Sequence, residues 1–326
     1  MQRIKNIISL CLIAAALSSC QKDVEYFLPD PGQAAGADTV WQATISSAMP
    51  VSALRNSLVL PLNVDSVELT ANNSSFLTLR GLQGTIPAGS LTTANGQVAT
   101  GRIIVQSLLL KTKGDFIRMR TPSQAANRTL ISGGAIYLNF RKDSADLQLL
   151  QGKRINLKFN TTPVSSVLKI FNGEETAAAI SWNVNSDTAN NKVAVTSTSY
   201  EILTNHLRWI NAAQFYDTAL LSQTSLVTKL PSNYTNANTM VYLAFNDVNA
   251  VVALNAEPSL RRFSSGPVPV NKAVTIIVMS KQGNDYYFAQ QAAVTVPLGA
   301  STLPQLVNIT PVKTPLTTII NYLNSL

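Results

Sequence analysis

Catalysis and metal binding need groups that move protons, attack carbon or phosphorus, or donate lone pairs, and this chain holds few of them. His206 is the only imidazole. It stands between Asn205 and Leu207-Arg208-Trp209, with no acid or nucleophile close in sequence to orient or use it. It therefore reads as a structural or exposed side chain rather than a general base. The cysteines are Cys11 and Cys20 alone. Among the 17 acidic residues, Glu174-Glu175 beside Gly173 is the one close pair, and it reads as a loop. Ser132-Gly133-Gly134 lacks the G-x-x-x-x-G-K phosphate cradle, and Gly81-Leu82-Gln83-Gly84 has no helix after it, so both read as turns. These residue types point away from an enzyme, and they call for no metal and no cofactor.

Aromatic and hydroxyl groups remain. Trp41, Trp182, Trp209 and the pairs Phe215-Tyr216 and Tyr286-Tyr287 are candidates for stacking on sugar rings, although aromatics in stacked sheets usually fill cores. The triplets Asp38-Thr39-Val40, Asp65-Ser66-Val67, Asp143-Ser144-Ala145, Asp187-Thr188-Ala189 and Asp217-Thr218-Ala219 share one pattern. Composition alone would give about one such match. The pattern resembles the O-glycosylation acceptor of Bacteroidota envelope proteins. That resemblance implies glycans on loops at Thr39, Ser66, Ser144, Thr188 and Thr218.

The chain has 326 residues, room for about two domains. Hydrophobic residues make up 46% and charged residues 13%, against ~25% in ordinary soluble domains. Such a chain is too apolar for disorder and too rich in Ser, Thr and Asn for a multi-pass membrane protein. Lys and Arg number 25, for a net charge of +8. They gather at Lys111-Thr112-Lys113, Arg118 and Arg120, Arg141-Lys142, Lys153-Arg154 and Arg261-Arg262. The scatter suggests a solvated face rather than a nucleic-acid stripe. Acidic polysaccharide or lipopolysaccharide phosphate is the partner such a face would suit.

The first twenty residues read as an address. Arg3 and Lys5 precede the apolar run Ile7 to Leu17, which is too short for a membrane span of about 20 residues but fits a signal-peptide core. The run ends in Leu17-Ser18-Ser19-Cys20, which resembles the bacterial lipobox. The resemblance implies cleavage before Cys20 and attachment of palmitate-type acyl chains to it. At ~0.8 kcal/mol per buried methylene, these would hold the protein at a membrane. Cleavage would also remove Cys11, leaving no free thiol for a disulfide or a nucleophile. Gln21-Lys22-Asp23-Val24-Glu25 is similar to the short signal that sends Bacteroidota lipoproteins to the outer face of the outer membrane. Residues 26 to 39 carry turn formers without a period and read as a tether.

The body reads as all-β: two tandem β-sandwich, immunoglobulin-like domains with a short C-terminal helix. Short apolar segments alternate with Asn, Gly, Ser, Thr and Pro punctuation. Ile136, Leu138 and Phe140 share one face of a strand, and Arg154 to Phe159 alternates in the same way. Further strands are expected at Leu58–Leu62, 75–79, 102–108, 200–203, 225–230, 240–245, 273–278 and 286–289. Only Leu316 to Leu326 has helical spacing, with Leu316, Ile319, Ile320 and Leu323 on one stripe after Pro315. A break near Asn160-Thr161-Thr162-Pro163 divides the body into 40–162 and 163–313, each large enough for a sandwich core.

Ile86-Pro87-Ala88-Gly89, Ser132-Gly133-Gly134 and Leu149-Leu150-Gln151-Gly152, with the strands between them, resemble a module of Bacteroidota surface proteins. That module is itself similar to the β-sandwich of ankyrins and netrin receptors. Leu207-Arg208-Trp209-Ile210-Asn211-Ala212-Ala213-Gln214-Phe215 is similar to a Gly-Trp-Ile-Asn-x-Asp-x-Phe segment of the same proteins. Here Arg208 replaces the Gly and Ala213 the acid. The resemblance implies fold and location and transfers no catalytic residue. The function expected is a non-enzymatic cell-surface lipoprotein, a binding or structural module of the outer membrane with a glycan or surface-protein partner. The alternatives are a glycan-binding accessory lipoprotein of a starch-utilisation-type uptake system and, further off, a hydrolase.

Overall fold

Alternating side chains put every second residue of a strand on the same face, so a strand buried on both faces must be apolar throughout. Leu130 to Phe140 comes near to such a run, interrupted by Ser132 and Asn139, and the structure, a computed structural model, buries all of it. It describes residues 39–162, 165, 167–176, 179–216, 223–297 and 304–326, all within one compact unit. Among the described residues the fold is all-β with three short α-helices: α1 (Pro50–Leu58), α2 (Lys113–Met119) and α3 (Leu316–Asn324).

The first sheet runs, by neighbours, Asn63–Leu69, Gly101–Leu110, Arg128–Lys142, Arg208–Phe215, Lys169–Glu175, Ile180–Val184, all antiparallel. Ile136, Leu138, Phe140, Val105 and Ile210 leave one face of it to meet Leu157, Phe159, Tyr200 and Ile202 of a second sheet, built on Ile155–Asn160 and Ser199–Thr204. A third sheet centres on Thr239–Phe245 and Ala273–Gln282. It packs Val241, Leu243, Ile276 and Val278 against Leu226, Phe263 and Val307 of a fourth. In that fourth sheet Leu226–Lys229 and Gln305–Asn308 pair in parallel.

The helices fill the space between the first and third sheets. Val51, Leu54 and Leu58 of α1, Phe116 and Ile117 of α2, and Ile319 and Leu323 of α3 are buried there. They share a core with Tyr137, Phe171, Trp182 and Trp209 on one side and Met240, Tyr242, Ile277 and Met279 on the other. Main-chain bonds join the two sides: Ser123 N–H donates to the Val251 carbonyl at 2.6 Å, and Ser132 N–H to that of Asn249 at 3.0 Å.

This connectivity corrects the expected division at residue 163. Lys169–Glu175 and Arg208–Phe215 complete the first sheet, and Ser199–Thr204 pairs with Ile155–Asn160 in the second. The central strand Arg128–Lys142 needs a partner on each side, and one of them lies beyond the proposed break.

The C-terminal helix forms as expected, burying Ile319 and Leu323. Two other helices went unread. Pro50 takes the first turn of α1, and Val51, Leu54 and Leu58 form its buried stripe, so the strand expected over Leu58–Leu62 is instead a helix end followed by coil. In α2 a capping box opens the helix: the Thr112 hydroxyl accepts from Asp115 N–H at 3.2 Å, and the Asp115 carboxylate accepts from Thr112 N–H at 3.2 Å. Seven residues need such a cap, being too few for helix propensity to hold.

Ser132-Gly133-Gly134 is not a turn but lies inside Arg128–Lys142. It faces Ala212 and Ala213 at a bulge, with Gly133 the extra residue. A Cβ on Gly133 would stand 2.7 Å from both Leu168 Cδ1 and Tyr200 Cε2, so the glycine is set by close packing. Gly81 does serve a turn, at φ +83°, while Gly84 lies in a strand with the Phe76 ring directly over it. Glu174-Glu175 likewise ends a strand, Lys169–Glu175, rather than forming a loop.

Candidate functional site

The residues singled out for sugar stacking do not assemble into a platform. Trp182 and Trp209 are buried in the core between the first and third sheets, 6.4 Å apart and nearly perpendicular at 87°. Their indole N–H groups are spent inside the protein, Trp182 on the Pro122 carbonyl at 3.0 Å and Trp209 on Glu175 Oε1 at 2.9 Å. Both expectations are corrected, because each ring is worth more as buried area than as exposed surface. Trp41 is half-buried, tilted on Phe263 at 5.0 Å. Tyr286 and Tyr287, half-buried neighbours on one strand, face opposite ways; Tyr287 meets Tyr234 edge-on at 5.8 Å. Phe215 packs on Phe171 and lies under the Arg128 guanidinium at 3.9 Å.

The acceptor triplets fare unevenly. Thr39, Ser144 and Thr188 are exposed in turns. Asp143 and Ser144 both have positive φ, 49° and 69°, as a two-residue hairpin requires. Asp187 holds its turn by accepting from Asn190 N–H at 3.2 Å. Ser66 departs from the expected loop placement. It is half-buried within Asn63–Leu69 and accepts from Arg102 Nη2 at 3.0 Å. Thr218 and Cys20, with the leader and the tether up to residue 38, lie outside the described residues.

His206 is half-buried, and burial pulls its imidazole below the ordinary histidine value. Among the described residues, no group of three or more His, Cys, Asp or Glu side chains is placed to hold a metal ion.

The structure does gather charge at the junction of the two sheet pairs. The basic stretch 111–120 is not a freely solvated face; every one of its residues is at least half-buried around α2. A cleft of about 430 Å³ opens there, between Lys111, Lys113 and the loop Asn246–Asn249. Each ammonium is tied to a main-chain carbonyl across the junction or along it: Lys111 Nζ to Asn160 O at 2.9 Å, Lys113 Nζ to Phe245 O at 2.8 Å. Burial lowers both lysines from their ordinary values. Arg80 adds to the shift at Lys111 while Asp115 opposes it, and Asp247 opposes it at Lys113. Asp247 is held by the Tyr216 hydroxyl, which donates at 2.6 Å, with Lys272 at 3.8 Å. Burial and this carboxylate together push the Tyr216 hydroxyl well above its ordinary value. Asn249 fixes the loop by donating to the carbonyls of Lys111 at 2.9 Å and Ser132 at 3.0 Å.

A lysine with one donor spent keeps two more. The cleft can therefore bind carboxylate, phosphate, sulfate or hydroxyl groups. Its hydroxyl neighbour Thr112 already serves the α2 cap. Lys111 and Lys113 stand out in the sequence as charge, whereas Asn246-Asp247-Val248-Asn249 does not. The available signal is a polar tetrapeptide between two apolar strand runs, a hairpin connection of the kind that often carries binding groups in proteins.

No protein-family model matches the chain, and no curated protein does. Among solved structures, the crystal structure of domains A168-A170 from titin is similar at 7% identity and a TM-score of 0.15, covering 72% of this chain and 100% of that one. A likeness of that size carries no argument. Among the described residues, no helix is long and apolar enough to cross a membrane.

Proposed function

We propose that this chain is a lipid-anchored protein of the bacterial outer membrane, displayed on the cell surface. Its two β-sandwich, immunoglobulin-like units would serve there as a non-enzymatic binding and structural module. The observation that carries this reading is the apolar run ending in Leu17-Ser18-Ser19-Cys20, ahead of a body without another cysteine. A sulfur at the end of such a run is the attachment point for acyl chains, and a Lys/acidic segment follows it. On this reading the sheet-built body behind the tether meets its partners through clefts and turns.

Recognition on this reading is of acidic surface material, glycan or protein, through half-buried cations such as Lys111 and Lys113. Thr39, Ser144 and Thr188, on exposed turns, are the acceptors best placed to carry glycans. The accessory-lipoprotein alternative, with sugars stacked on aromatics, retains Trp41, Tyr286 and Tyr287 but not the two core tryptophans.

The test is display on cells of the native host. Protease added to intact cells should remove the protein, and Cys20→Ala should leave it unlabelled by an alkyne-palmitate analogue and lost from the envelope fraction. A Cys20→Ala protein that stays in the envelope at wild-type levels contradicts the proposal.

A further inference from the structure

A second, smaller cavity carries an inference that neither the anchor nor the lysine cleft contains. About 180 Å³ of space lies where α1, the end of α2 and Thr239–Phe245 converge. Arg55 projects from α1 and Arg120 closes α2 in the left-handed conformation at φ 55°; both line the cavity together with Tyr242. Among the described residues none forms a hydrogen bond or ion pair with the Arg55 guanidinium, and its Nε is shielded from solvent with no acceptor. A guanidinium has five N–H donors, and a buried donor left unpaired is costly, more so when charged. No Asp or Glu lines the cavity.

Two further features add to this. Burial and the Arg120 charge both act against the Arg55 cation, so like charges stand together where solvent is scarce. The Tyr242 hydroxyl is buried, and its hydrogen-bond partner among the described residues is the weak acceptor Met240 Sδ at 3.9 Å. Burial raises that hydroxyl to about 12, which keeps it a donor at neutral pH. The cavity is thus rich in donors and has no anionic acceptor among its lining residues.

We propose that this cavity binds a small oxyanion, a carboxylate, phosphate or sulfate group, between the guanidinium groups of Arg55 and Arg120, with the Tyr242 hydroxyl as a further donor. Guanidinium forks match such anions in geometry as well as charge. Met240, Ala253 and Phe263 give the rest of the wall an apolar character that suits a short carbon substituent. Pro122, Ala179 and Asn255 are shared with an adjoining open, polar cleft of about 250 Å³, which leaves a way in.

The experiment is calorimetric titration and thermal melting of the full chain with sulfate, phosphate and acetate, ionic strength held constant with chloride. At least one of the three should bind one to one and raise the melting temperature with its concentration. Sulfate and phosphate acting without acetate assigns a tetrahedral anion, and the reverse a planar one. Arg55→Met should weaken binding by about tenfold or more, as loss of one charge-assisted fork implies, and Arg154→Met, an exposed control, should not. Should Arg55→Met fail to fold, Arg55→Lys and Tyr242→Phe provide the same comparison with shape kept. No response beyond chloride, or an equal response in wild type and the Arg55 variants, overturns the proposal.

Discussion

At the scale of single residues, packing decides more than chemistry does. Gly114 of α2 lies against α3, where a Cβ would stand 1.7 Å from the Leu323 carbonyl oxygen. That contact is backbone and cannot swing aside. Gly114→Ala should therefore cost about 1–3 kcal/mol or more by forcing α2 and α3 apart, read as a lower denaturant midpoint. Trp182→Ala removes a fully buried ring and its bond to Pro122, and a loss of roughly 3–5 kcal/mol is expected in the same measurement. His206, the only imidazole, gives a pH signature of its own. Its folded value is lowered by burial. The unfolded chain then takes up a proton before the folded one does, so stability is full above about pH 6.5 and falls as pH drops below it. His206→Gln should flatten that slope between about pH 6.5 and 5, and an unchanged slope would assign it to carboxylates instead.

At the scale of elements, the tail helix and the expected strands other than Leu58–Leu62 are legible because each carries its own period. Ile136, Leu138 and Phe140 alternate, and Leu316, Ile319, Ile320 and Leu323 recur by turns. What was not legible depends on distant partners. The helix Pro50–Leu58 has only three buried positions, and its Leu58 also begins an apolar run that passes for a strand. Lys113–Met119 is marked by its Thr112–Asp115 cap more than by a stripe, and a polar pair three residues apart is easily taken for a loop. Ser132-Gly133-Gly134 looks like punctuation until Leu168 and Tyr200 are seen to need the missing side chain's space. The cap makes its own prediction: Thr112→Ala should cost about 1 kcal/mol and loosen α2 selectively, seen as faster amide exchange over residues 113–119. The basic stretch 111–120 was legible as charge but not as place. Only the fold shows that Lys111 and Lys113 meet Asn246–Asn249, and that Arg120 meets Arg55.

At the scale of the whole molecule, the helices bind what the sequence suggested were separable halves. Val51, Phe116 and Leu323 share one core with Trp209 of the first sheet and Met279 of the third. Residues 39–162 alone would leave Arg128–Lys142 without Arg208–Phe215 and Ile155–Asn160 without Ser199–Thr204. That fragment should stay unfolded or aggregate, and the full body should melt in one transition by near- and far-ultraviolet circular dichroism. A body joined in this way suits the proposed role of presenting clefts from a tether. The tether is therefore the point on which the account turns, and the intact mass of the protein purified from its native host tests it most directly. The account predicts a chain that begins at Cys20 with acyl mass on that residue, and sugar mass on turns such as those at Ser144 and Thr188. A chain of unmodified mass that still begins at Met1 would contradict it.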